Sequence, residues 1–457
     1  MDIFSFLNKI NYTLNGCLFL FQTFTIFGSE SLFYFFTNDY KRYTYNITNR
    51  LARINILCVK IFQALALNNK LFDTELNDHL LTFTDNSPYS TDDIDFDVIH
   101  NLMLDENIIF NEHNLLPIKS GMISLVYKGF YRNQPIVVKI KRKNILEKLN
   151  LSLYNLFFLI DFLSFFPYFS HFINEYKINS LIQKNIEIIK EQIDFKKEVQ
   201  NIIKMNANCI SLNYVKIPHV YQNITDKYED VIVMELIDGQ TIHEILKEDY
   251  DIYAKLLLKF GFVTSMMHGF AHGDLHAGNI LFIKEKPKIL KSESESELYT
   301  YKLGILDFGI MFSIQESFKN KILEITCDLF LTPVEESAKK ILESGLILEP
   351  LSIIQNLSEE EKKPLLNVII FTLKESLNKN TEVNQIQIYK FTSNLYTKLN
   401  DFSASSLNLY LSDGFVKTQL VIAMVHGITM KLCKDNYIEL ADKIINELFH
   451  TDLLLED

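Results

Sequence analysis

The stretch His272–Leu281, with the sequence HGDLHAGNIL, decides the fold together with the triplet Asp307–Gly309, with the sequence DFG. Transfer of a phosphoryl group from a nucleotide needs a carboxylate that orients the attacking group. It also needs an amide oxygen and a second carboxylate that hold Mg²⁺ against the phosphates. Asp274, Asn279 and Asp307 are the residue types for these three tasks, in the expected order. We therefore expect a site for ATP and Mg²⁺, the alternative being a solvated polar loop followed by a chance DFG triplet.

The segments around these motifs are expected to present them as loops. A helical pattern runs from about Asp249 to His268 and ends at Gly269. The apolar runs Ile280–Ile283 and Leu303–Leu306 predict strands, the second of which leads directly into the DFG triplet. The sequence thus predicts a loop motif and a strand end that can lie side by side.

Composition and charge restrict the class of protein. With 457 residues, 48% of them hydrophobic and 22% charged, the chain is long enough for two or three domains or one large two-lobed domain. A net charge of −12 argues against general affinity for nucleic acid and limits contact with an anionic membrane to a local basic patch. The five scattered cysteines form no C-x-x-C pair, which favours free thiols in a reducing intracellular compartment over a zinc or disulfide framework.

Two N-terminal stretches predict helices. Residues Ile10–Ser29 carry no charge and nearly match the length of a bilayer span, but several Asn, Gln and Thr dilute them. We expect a buried or interfacial helix here, and a transmembrane span remains the alternative. No basic start with a small-residue cleavage site is present, so a signal peptide is not expected. Residues Tyr43–Leu71 repeat apolar positions at helical spacing, and this predicted helix carries Lys60–Gln63, with the sequence KIFQ.

From Phe110 onwards the pattern predicts strands. Pro117–Met122 is expected to be a polar turn between Phe110 and the strand Ile123–Tyr127, and Ile136–Ile140 a return strand that contains Lys139. A lysine inside so apolar a strand is costly unless it is paired. In a nucleotide-binding lobe such a lysine reaches the phosphates and is held by a glutamate from a helix. The alternative is a lysine of an edge strand whose ammonium group reaches water.

Further residues are candidates for the same site. Glu198, on a helix expected to run through Glu191–Glu198, is the candidate partner of Lys139, although a lone glutamate is more often a surface charge. Val231–Leu236 predicts a buried strand that leads into a hinge between two lobes. The remaining candidate nucleotide contacts are Lys119, Ser120, Gly121, Met122, Val126 and Glu235.

Other segments carry structural signals. Residues 149–173 are rich in aromatic side chains, but Asp161 and Pro167 interrupt any bilayer-length run, so we expect buried helices. Thr241–Glu244 and Ser358–Glu361 have the pattern of capping boxes that open helices. Ser292–Glu297, with the sequence SESESE, predicts a solvated loop inserted between two strands.

Together these motifs resemble the UbiB/ADCK family of atypical kinase-like proteins, over a region from about Tyr43 to Phe312. The family's H-A-D-P-H-P-G-N and D-F-G motifs resemble His272–Asn279 and Asp307–Gly309, and Lys139 falls on the lysine of its V-A-V-K. The resemblance implies an ATP-binding protein with weak or unusual kinase activity, often an ATPase. It also implies a role in isoprenoid-lipid (ubiquinone-type) metabolism at a membrane.

The remaining family motifs are present with changes. The alanine-rich loop that covers the phosphates resembles Pro117–Gly129, and the E-x-D-x-x-x-E segment resembles Gln192–Glu198. The hallmark K-x-G-Q motif, on an N-terminal helix that folds over the active site, resembles Lys60–Gln63, which implies a regulatory role for Lys60 and Gln63. The departures from the family's patterns are Phe62 for glycine, Gln192 for glutamate, Lys119 and Met122 within the alanine-rich loop, and Leu275 and Ala277 for two prolines.

We therefore predict an α+β, bilobal protein-kinase-like fold with a small mixed lobe, a large mainly helical lobe and an N-terminal helical extension. The expected domains are residues 1–100, 101–239 and 240–457. The first hypothesis for function is an ATP- and Mg²⁺-dependent kinase or ATPase that acts near a lipid or membrane surface. The alternatives are a small-molecule phosphotransferase resembling aminoglycoside and choline kinases, and a non-catalytic nucleotide-binding scaffold.

Overall fold

The computed structural model describes residues 3–66, 79–80, 86–110, 115–175, 182, 186, 189–286, 299–328, 332–378, 385–386, 394–395, 398–399, 409–433, 440–441, 443–444 and 447. The chain divides into two units. Unit 1 comprises Met1–Val199 and His219–Leu236, and unit 2 comprises Gln200–Pro218 and Ile237–Asp457. Two predicted features lie outside the described residues: the insert Ser292–Glu297 and the side chain of Gln63. The three-domain division remains a prediction.

Unit 1 begins with helices and continues with a small sheet. Its helices are α1 (Ile3–Thr37), α2 (Tyr40–Ile54), α3 (Leu57–Ala66), α4 (Phe96–Asp105), α5 (Ile145–Ser164), α6 (Pro167–Glu175), the start of α7 (Phe195–Asn208) and α8 (Gln222–Thr225). Its strands are β1 (Ile109–Phe110), β2 (Lys119–Ser120), β3 (Ser124–Tyr131), β4 (Gln134–Lys141) and β6 (Val231–Glu235), while β5 (Val215–Lys216) belongs to unit 2.

The sheet of unit 1 places Lys139 in a central strand. Its order is β1-β3-β4-β6, with β2 paired to β3 and all neighbours antiparallel. Lys139 lies opposite Val126 on one side and Ile232 on the other. Ile136, Val138 and Ile140 are buried and Val137 is half-buried, as expected of a strand that turns one face to the core. The structure therefore excludes the edge-strand lysine.

One helix was predicted over Tyr43–Leu71, and this prediction is wrong, because the chain breaks after Ile54. The break is caused by Asn55, which is 1% exposed. Its Oδ1 accepts a hydrogen bond from the backbone of Leu57 at 3.0 Å, so the side chain caps α3. Its Nδ2 donates to the carbonyl of Ser152 in α5 at 2.9 Å. A side chain with these two tasks needs a non-helical backbone, and the backbone of Asn55 is extended.

The aromatic segment 149–173 forms α5 and α6, but it is not buried throughout as predicted. Phe165 and Tyr168 are 82% and 80% exposed, and Phe166 and Phe169 are also exposed. Only part of the α5 surface is buried, and the rings that follow Ser164 are exposed. Aromatic hydropathy alone cannot distinguish a core face from an exposed apolar face.

Two further helix predictions need correction. The helix expected through Glu191–Glu198 is interrupted at Asp194, whose Oδ1 accepts from the backbone of Lys197 at 3.0 Å and so begins α7. Of the two capping-box contacts predicted for Thr241 and Glu244, one is present, because the Thr241 N–H donates to the Glu244 carboxylate at 2.7 Å. The Thr241 hydroxyl also donates to that carboxylate, at 2.8 Å, and the Glu244 N–H donates to the backbone carbonyl of Thr241. These contacts close a turn and open no helix, since helical structure resumes only at residue 247.

Unit 2 is mainly helical in its second half. Its helices are the end of α7, then α9 (Tyr250–Phe262), α10 (Glu316–Asp328), α11 (Val334–Glu343), α12 (Leu351–Asn356), α13 (Glu359–Ser376) and α14 (Asp413–Leu432). Its strands, besides β5, are β7 (Phe270–His272), β8 (Ile280–Glu285), β9 (Thr300–Ile305), β10 (Met311–Ser313), β11 (Leu348–Glu349), β12 (Leu377–Asn378), β13 (Gln385–Ile386) and β14 (Tyr410–Leu411).

The elements that carry the two motifs agree with prediction. The helical run ends at Gly269, whose φ of 62° lies in the left-handed region that favours glycine. Strands β8 and β9 form an antiparallel pair with β5 on the other side of β9, and β7 pairs with β10. The Ser358–Glu361 capping box opens α13 as expected. The chain thus has the predicted mixture of a small sheet-containing unit, a mainly helical unit and N-terminal helices.

Candidate active site

His272 organises the motif loop of unit 2. It is the last residue of β7 and is 2% exposed. Its Nδ1 accepts from the backbone N–H of Asp274 at 3.1 Å, and its Nε2 lies 3.2 Å from the carbonyl of Leu306. A ring nitrogen that faces an N–H must accept and one that faces a carbonyl must donate, which assigns the neutral Nε2–H tautomer. Burial lowers the pKa of His272, against the opposing charges of Asp274 and Asp307. One neutral ring therefore fixes the backbone at both acidic residues.

Asn279 closes the same loop. Its Nδ2 donates to the carbonyl of Asp274 at 3.0 Å, and its side chain is 6% exposed. Its backbone carbonyl accepts from Leu306 at 2.8 Å, which ties the loop to the residue before Asp307. Because the amide nitrogen is engaged with the loop, the amide oxygen is the atom suited to a hard cation.

Asp307 has a strained backbone that its neighbours hold in place. Its φ is 55°, in the left-handed region, which for a residue other than glycine costs on the order of 1 kcal/mol. Its Oδ1 accepts from the backbone of Gly309 at 3.1 Å, and the carboxylate is exposed. Phe308 is fully buried, its ring lies 5.7 Å from that of His272, and its carbonyl accepts from Asn201 at 2.9 Å. The chain thus presents this carboxylate to solvent from a fixed turn.

Gly273 allows the two motif segments to approach each other. Its N–H donates to the carbonyl of Ile310 at 2.9 Å. A Cβ atom at this position would lie 2.7 Å from Cγ2 of Ile310 and 3.1 Å from the ring of Phe312. Any side chain would therefore push the DFG segment away from the loop.

Lys139 and Glu198 form a buried ion pair in unit 1. The ammonium nitrogen lies 2.7 and 3.0 Å from the two carboxylate oxygens. The side chains are 11% and 1% exposed, so the pair is removed from water almost completely. The pairing expected between the strand lysine and the helix glutamate is present. Phe195 adds its ring face 5.5 Å from the ammonium group.

The turn that matches the alanine-rich loop is tightly held. Lys119 pairs with Val126, and Gly121 donates to the carbonyl of Ser124 at 2.9 Å. Ser120 and Met122 are 5% and 6% exposed, whereas the other predicted contacts in the turn are partly exposed. Since these two side chains are buried within unit 1, Ser120 and Met122 can contact a ligand only through their backbone atoms.

Arg142 is the residue that the sequence interpretation missed. It is 3% exposed, and its guanidinium donates twice to the carbonyl of Gly121, at 2.7 and 3.0 Å, and once to the hydroxyl of Ser120 at 3.0 Å. It also donates to the carbonyl of Pro88 at 2.9 Å and forms an ion pair with Asp93 at 3.3 Å. The available signal was an arginine placed directly after the apolar strand of Lys139.

The helix of the KIFQ motif is packed in the core of unit 1. Phe62 is 8% exposed and belongs to the same apolar cluster as Met122 and Ile123 of the turn. Lys60 is half-buried, and so is Gln192, which stands where the family has a glutamate. The phenyl ring at the glycine position therefore fills core space beside the turn.

Glu235, the predicted hinge contact, ends β6. Its N–H donates to the carbonyl of His219 at 2.8 Å, and its Oε2 accepts from the N–H of His219 at 3.4 Å. Among the described residues no cluster of three or more His, Cys, Asp or Glu could hold a metal. An aspartate and an asparagine oxygen nevertheless fit Mg²⁺, which typically takes one or two protein ligands and completes its shell with phosphates and water.

Comparison with known proteins agrees with this geometry. The family model of the ABC1 atypical kinase-like domain matches residues 87–344, more than half of the chain. A protein named "Probable protein kinase UbiB" from Shewanella halifaxensis is 27% identical over 245 residues, covering 52% of this chain and 42% of that protein. The "Probable serine/threonine-protein kinase abkB" of Dictyostelium discoideum is 24% identical over 342 residues, covering 69% and 47%.

The chain thus spans less than half the length of these curated relatives. A solved structure, the Rv3197–erythromycin complex from Mycobacterium tuberculosis, covers 81% of this chain and 87% of its own, with a TM-score of 0.42 and 17% identity. The motif loop, the DFG turn and the buried lysine–glutamate pair all lie within the matched region of the family model. The chain belongs to the ABC1 atypical kinase-like family, which includes the UbiB proteins.

Proposed function

We propose that the protein binds ATP with Mg²⁺ and transfers or hydrolyses its terminal phosphoryl group. The observation that carries this proposal is the buried pair of Lys139 and Glu198 in a central strand. Desolvation of two charges is costly, and a hydrophobic pair would stabilise a sheet at least as well. A phosphate-binding role explains why the chain keeps a lysine here, because a lysine held by one carboxylate is pre-oriented towards the α- and β-phosphates.

The acidic residues of unit 2 have complementary roles in the proposal. Asp307 and Asn279 would hold Mg²⁺, which when bound neutralises charge on the phosphates. Asp274 would orient the attacking hydroxyl group or water. The fixed backbone supports this assignment, since the neutral His272 ring holds the segments of Asp274 and Asp307 without adding a positive charge that would compete with the cation. The backbone of the turn around Gly121 would cover the phosphates.

The proposed acceptor is a lipid-type molecule at a membrane. The kinase names of the curated relatives and the family model support a phosphotransferase, while the UbiB resemblance supports isoprenoid-lipid metabolism. The position of the Lys60 helix beside the phosphate turn supports a UbiB-type protein over a choline-kinase-type enzyme.

The test is ATP turnover by the full chain, with and without Mg²⁺ and liposomes, for the native protein and Asp307→Asn. Asparagine tolerates the left-handed backbone at this position, so the variant should fold with a nearly unchanged melting temperature in the absence of ligand. We expect it to lose the thermal shift produced by MgATP and to lose turnover. A MgATP shift that persists undiminished in Asp307→Asn would refute the metal assignment. If the native protein binds ATP without turning it over, the non-catalytic nucleotide-binding scaffold is favoured. If turnover occurs only with choline or aminoglycosides, the small-molecule phosphotransferase is favoured.

A further inference from the structure

Unit 1 exposes a large apolar surface, which we call the aromatic face. It consists of Leu18, Phe21, Leu32 and Phe35 of α1 and of Phe165 and Tyr168 at the turn between α5 and α6. These side chains are 53%, 70%, 61%, 81%, 82% and 80% exposed, in that order. The four α1 positions lie on one side of the helix. Leu18 and Phe21, like Leu32 and Phe35, are 3 residues apart, which is close to one helical turn, and the two pairs are 14 residues apart, which is close to four turns. An ordinary protein surface exposes apolar side chains singly and scattered, whereas here several large apolar side chains are highly exposed on two neighbouring elements.

The two parts of the aromatic face are continuous. The ring of Phe24 lies 5.7 Å from that of Phe162, which in turn lies 5.7 Å from that of Phe166. From residue 11 to residue 37 the only charged side chain is Glu30, which forms an ion pair with Arg50 at 2.7 Å. The surface is thus apolar along most of α1.

Over Asn11–Thr37, helix α1 is long and apolar enough to cross a membrane, and 28% of its most apolar 18-residue stretch is buried. A core helix would be mostly buried, so packing within the protein does not account for this composition. The opposite face of α1 packs on α5 and, around Glu30, on the basic helix α2. A Cβ at Gly16 would lie 2.8 Å from the ring of Phe158 in α5, and Glu30 accepts from Asn46 of α2 at 2.9 Å. If α1 crossed a bilayer, these neighbours would be carried into the hydrocarbon.

The charges on those neighbours make that arrangement unfavourable. Helix α2 carries four basic residues and no acidic one, and α5 carries Glu147, Lys148 and Asp161. Each charged side chain at the centre of a bilayer costs on translocon scales about as much as several apolar residues gain. A basic helix beside an apolar face, in a chain of net charge −12, is instead complementary to anionic headgroups.

We infer that the aromatic face is a docking surface for an anionic lipid bilayer, and that α1 lies in the plane of the interface and does not cross it. The aromatic rings enter the headgroup region, where phenyl and phenol groups partition well. The exposed basic residues of α2 add positive charge that attracts an anionic surface: Lys41, Arg42 and Arg53. This surface lies wholly within unit 1 and is independent of the proposed phosphoryl transfer.

The first test is flotation of the full chain with phosphatidylcholine vesicles, with and without phosphatidylserine, in the absence of nucleotide. Phe35→Ser and Phe165→Ser should each weaken partitioning about tenfold, since each removes one inserted ring, and the double variant should lose about a hundredfold. Ile210→Ser is the matched control, because Ile210 is 86% exposed but belongs to unit 2. It should float like the native chain.

The second test separates lying from spanning. Thr13→Cys and Thr37→Cys place thiols at the two exposed ends of the apolar stretch, about 36 Å apart along the helix. Cys58 and Cys209 are buried and burial raises the pKa of each to about 12, so they stay unreactive, and the other three cysteines are replaced by serine. A membrane-impermeant thiol reagent added to vesicle-bound protein should label both ends.

Two results would overturn the inference. Labelling at one end only, with the second end reacting after vesicle lysis, would show a spanning helix. Native protein that does not float but forms a dimer by light scattering, dissociated by Phe35→Ser and Phe165→Ser, would show that the aromatic face binds a second copy. ATP turnover enters neither readout, so failure of the proposed activity would leave these outcomes unaffected.

Discussion

The buried ion pair predicts strong energetic coupling between Lys139 and Glu198. Lys139→Met leaves a carboxylate that is 1% exposed without its ammonium partner, and Glu198→Gln leaves the ammonium group in a site that is 11% exposed. Removing one member of such a pair costs on the order of 3 kcal/mol or more, because the remaining charge is desolvated and uncompensated. The double variant removes both charges together. It should therefore be more stable than the sum of the two single losses predicts, by on the order of 2 kcal/mol.

The strand supplies a matched control. Lys141, two residues further along β4, forms an ion pair with Asp230 at 2.8 Å, but there the side chains are 14% and 60% exposed. A pair with one partner in water is worth about 0–1 kcal/mol after screening, so the cycle of Lys141→Met and Asp230→Asn should show a much smaller coupling.

The assay is hydrogen exchange of peptides from β3 and β4, which reports the opening free energy of this sheet separately from the rest of the chain. The same cycle measured as MgATP affinity should also be non-additive, because each single loss already disrupts the oriented lysine. If coupling at Lys139 and Glu198 is no larger than at the control pair, the argument from a desolvated charge pair is wrong.

Three further predictions concern single residues. His272→Gln should remove part of the acid sensitivity of folding. Burial lowers the pKa of His272 below its ordinary 6.5, so the native protein loses stability as the pH falls through 6.5, by up to about 1.4 kcal/mol per pH unit. The melting temperatures of the two proteins should therefore converge as the pH is lowered from 7.5 to 5.5. Parallel curves would contradict a neutral buried ring. In thermal unfolding without ligand, Asp307→Ala should be less stable than Asp307→Asn by on the order of 1 kcal/mol, because alanine is poorly suited to a φ of 55°. Equal melting temperatures of the two variants would exclude backbone strain at residue 307. Phe62→Ala should destabilise unit 1 by about 3 kcal/mol, because it leaves a cavity in the core. Lys60→Ala, at a half-buried position, should lower the stability by less than about 1 kcal/mol. A larger loss of stability for Lys60→Ala than for Phe62→Ala would show that the ring is not a core residue.

The local spacing of the motifs made much of unit 2 predictable. Strands β8 and β9 follow from short apolar runs, and the helix end at Gly269 follows from the conformational freedom of glycine. The contact between Lys139 and Glu198 was also predictable although 59 residues separate them, because a lysine in an apolar strand requires a counter-charge. The local rule indicated that Lys139 has a partner, whereas the choice of Glu198 depended on the kinase-type pattern and on the resemblance of Gln192–Glu198 to the family's E-x-D-x-x-x-E segment.

The features that escaped prediction depend on hydrogen bonds to backbone carbonyls. Arg142 fastens the turn at Gly121, and Asn55 ends one helix while it binds the carbonyl of Ser152. Every residue has a carbonyl, so sequence contains no signal for which one a side chain will reach. The Thr241–Glu244 pattern fails for a related reason. The Glu244 carboxylate accepts from the Thr241 N–H as a capping box requires, but this contact satisfies a turn as well as it would satisfy the first turn of a helix.

The aromatic segments show a different limit. Hydropathy measures the free energy of transferring a side chain out of water. That transfer is favourable for an apolar side chain in a protein core, in a bilayer interior and at a membrane interface alike. Residues 149–173 and the apolar stretch of α1 therefore look alike in sequence, although the start of α5 is buried and Phe165 is 82% exposed. What distinguishes the environments is the opposite side of each helix. The Glu30–Arg50 pair holds α1 against the basic helix α2, whose charges must stay out of the hydrocarbon. A helix that packs on a charged neighbour on one side and exposes phenyl rings on the other is suited to the boundary between the two media.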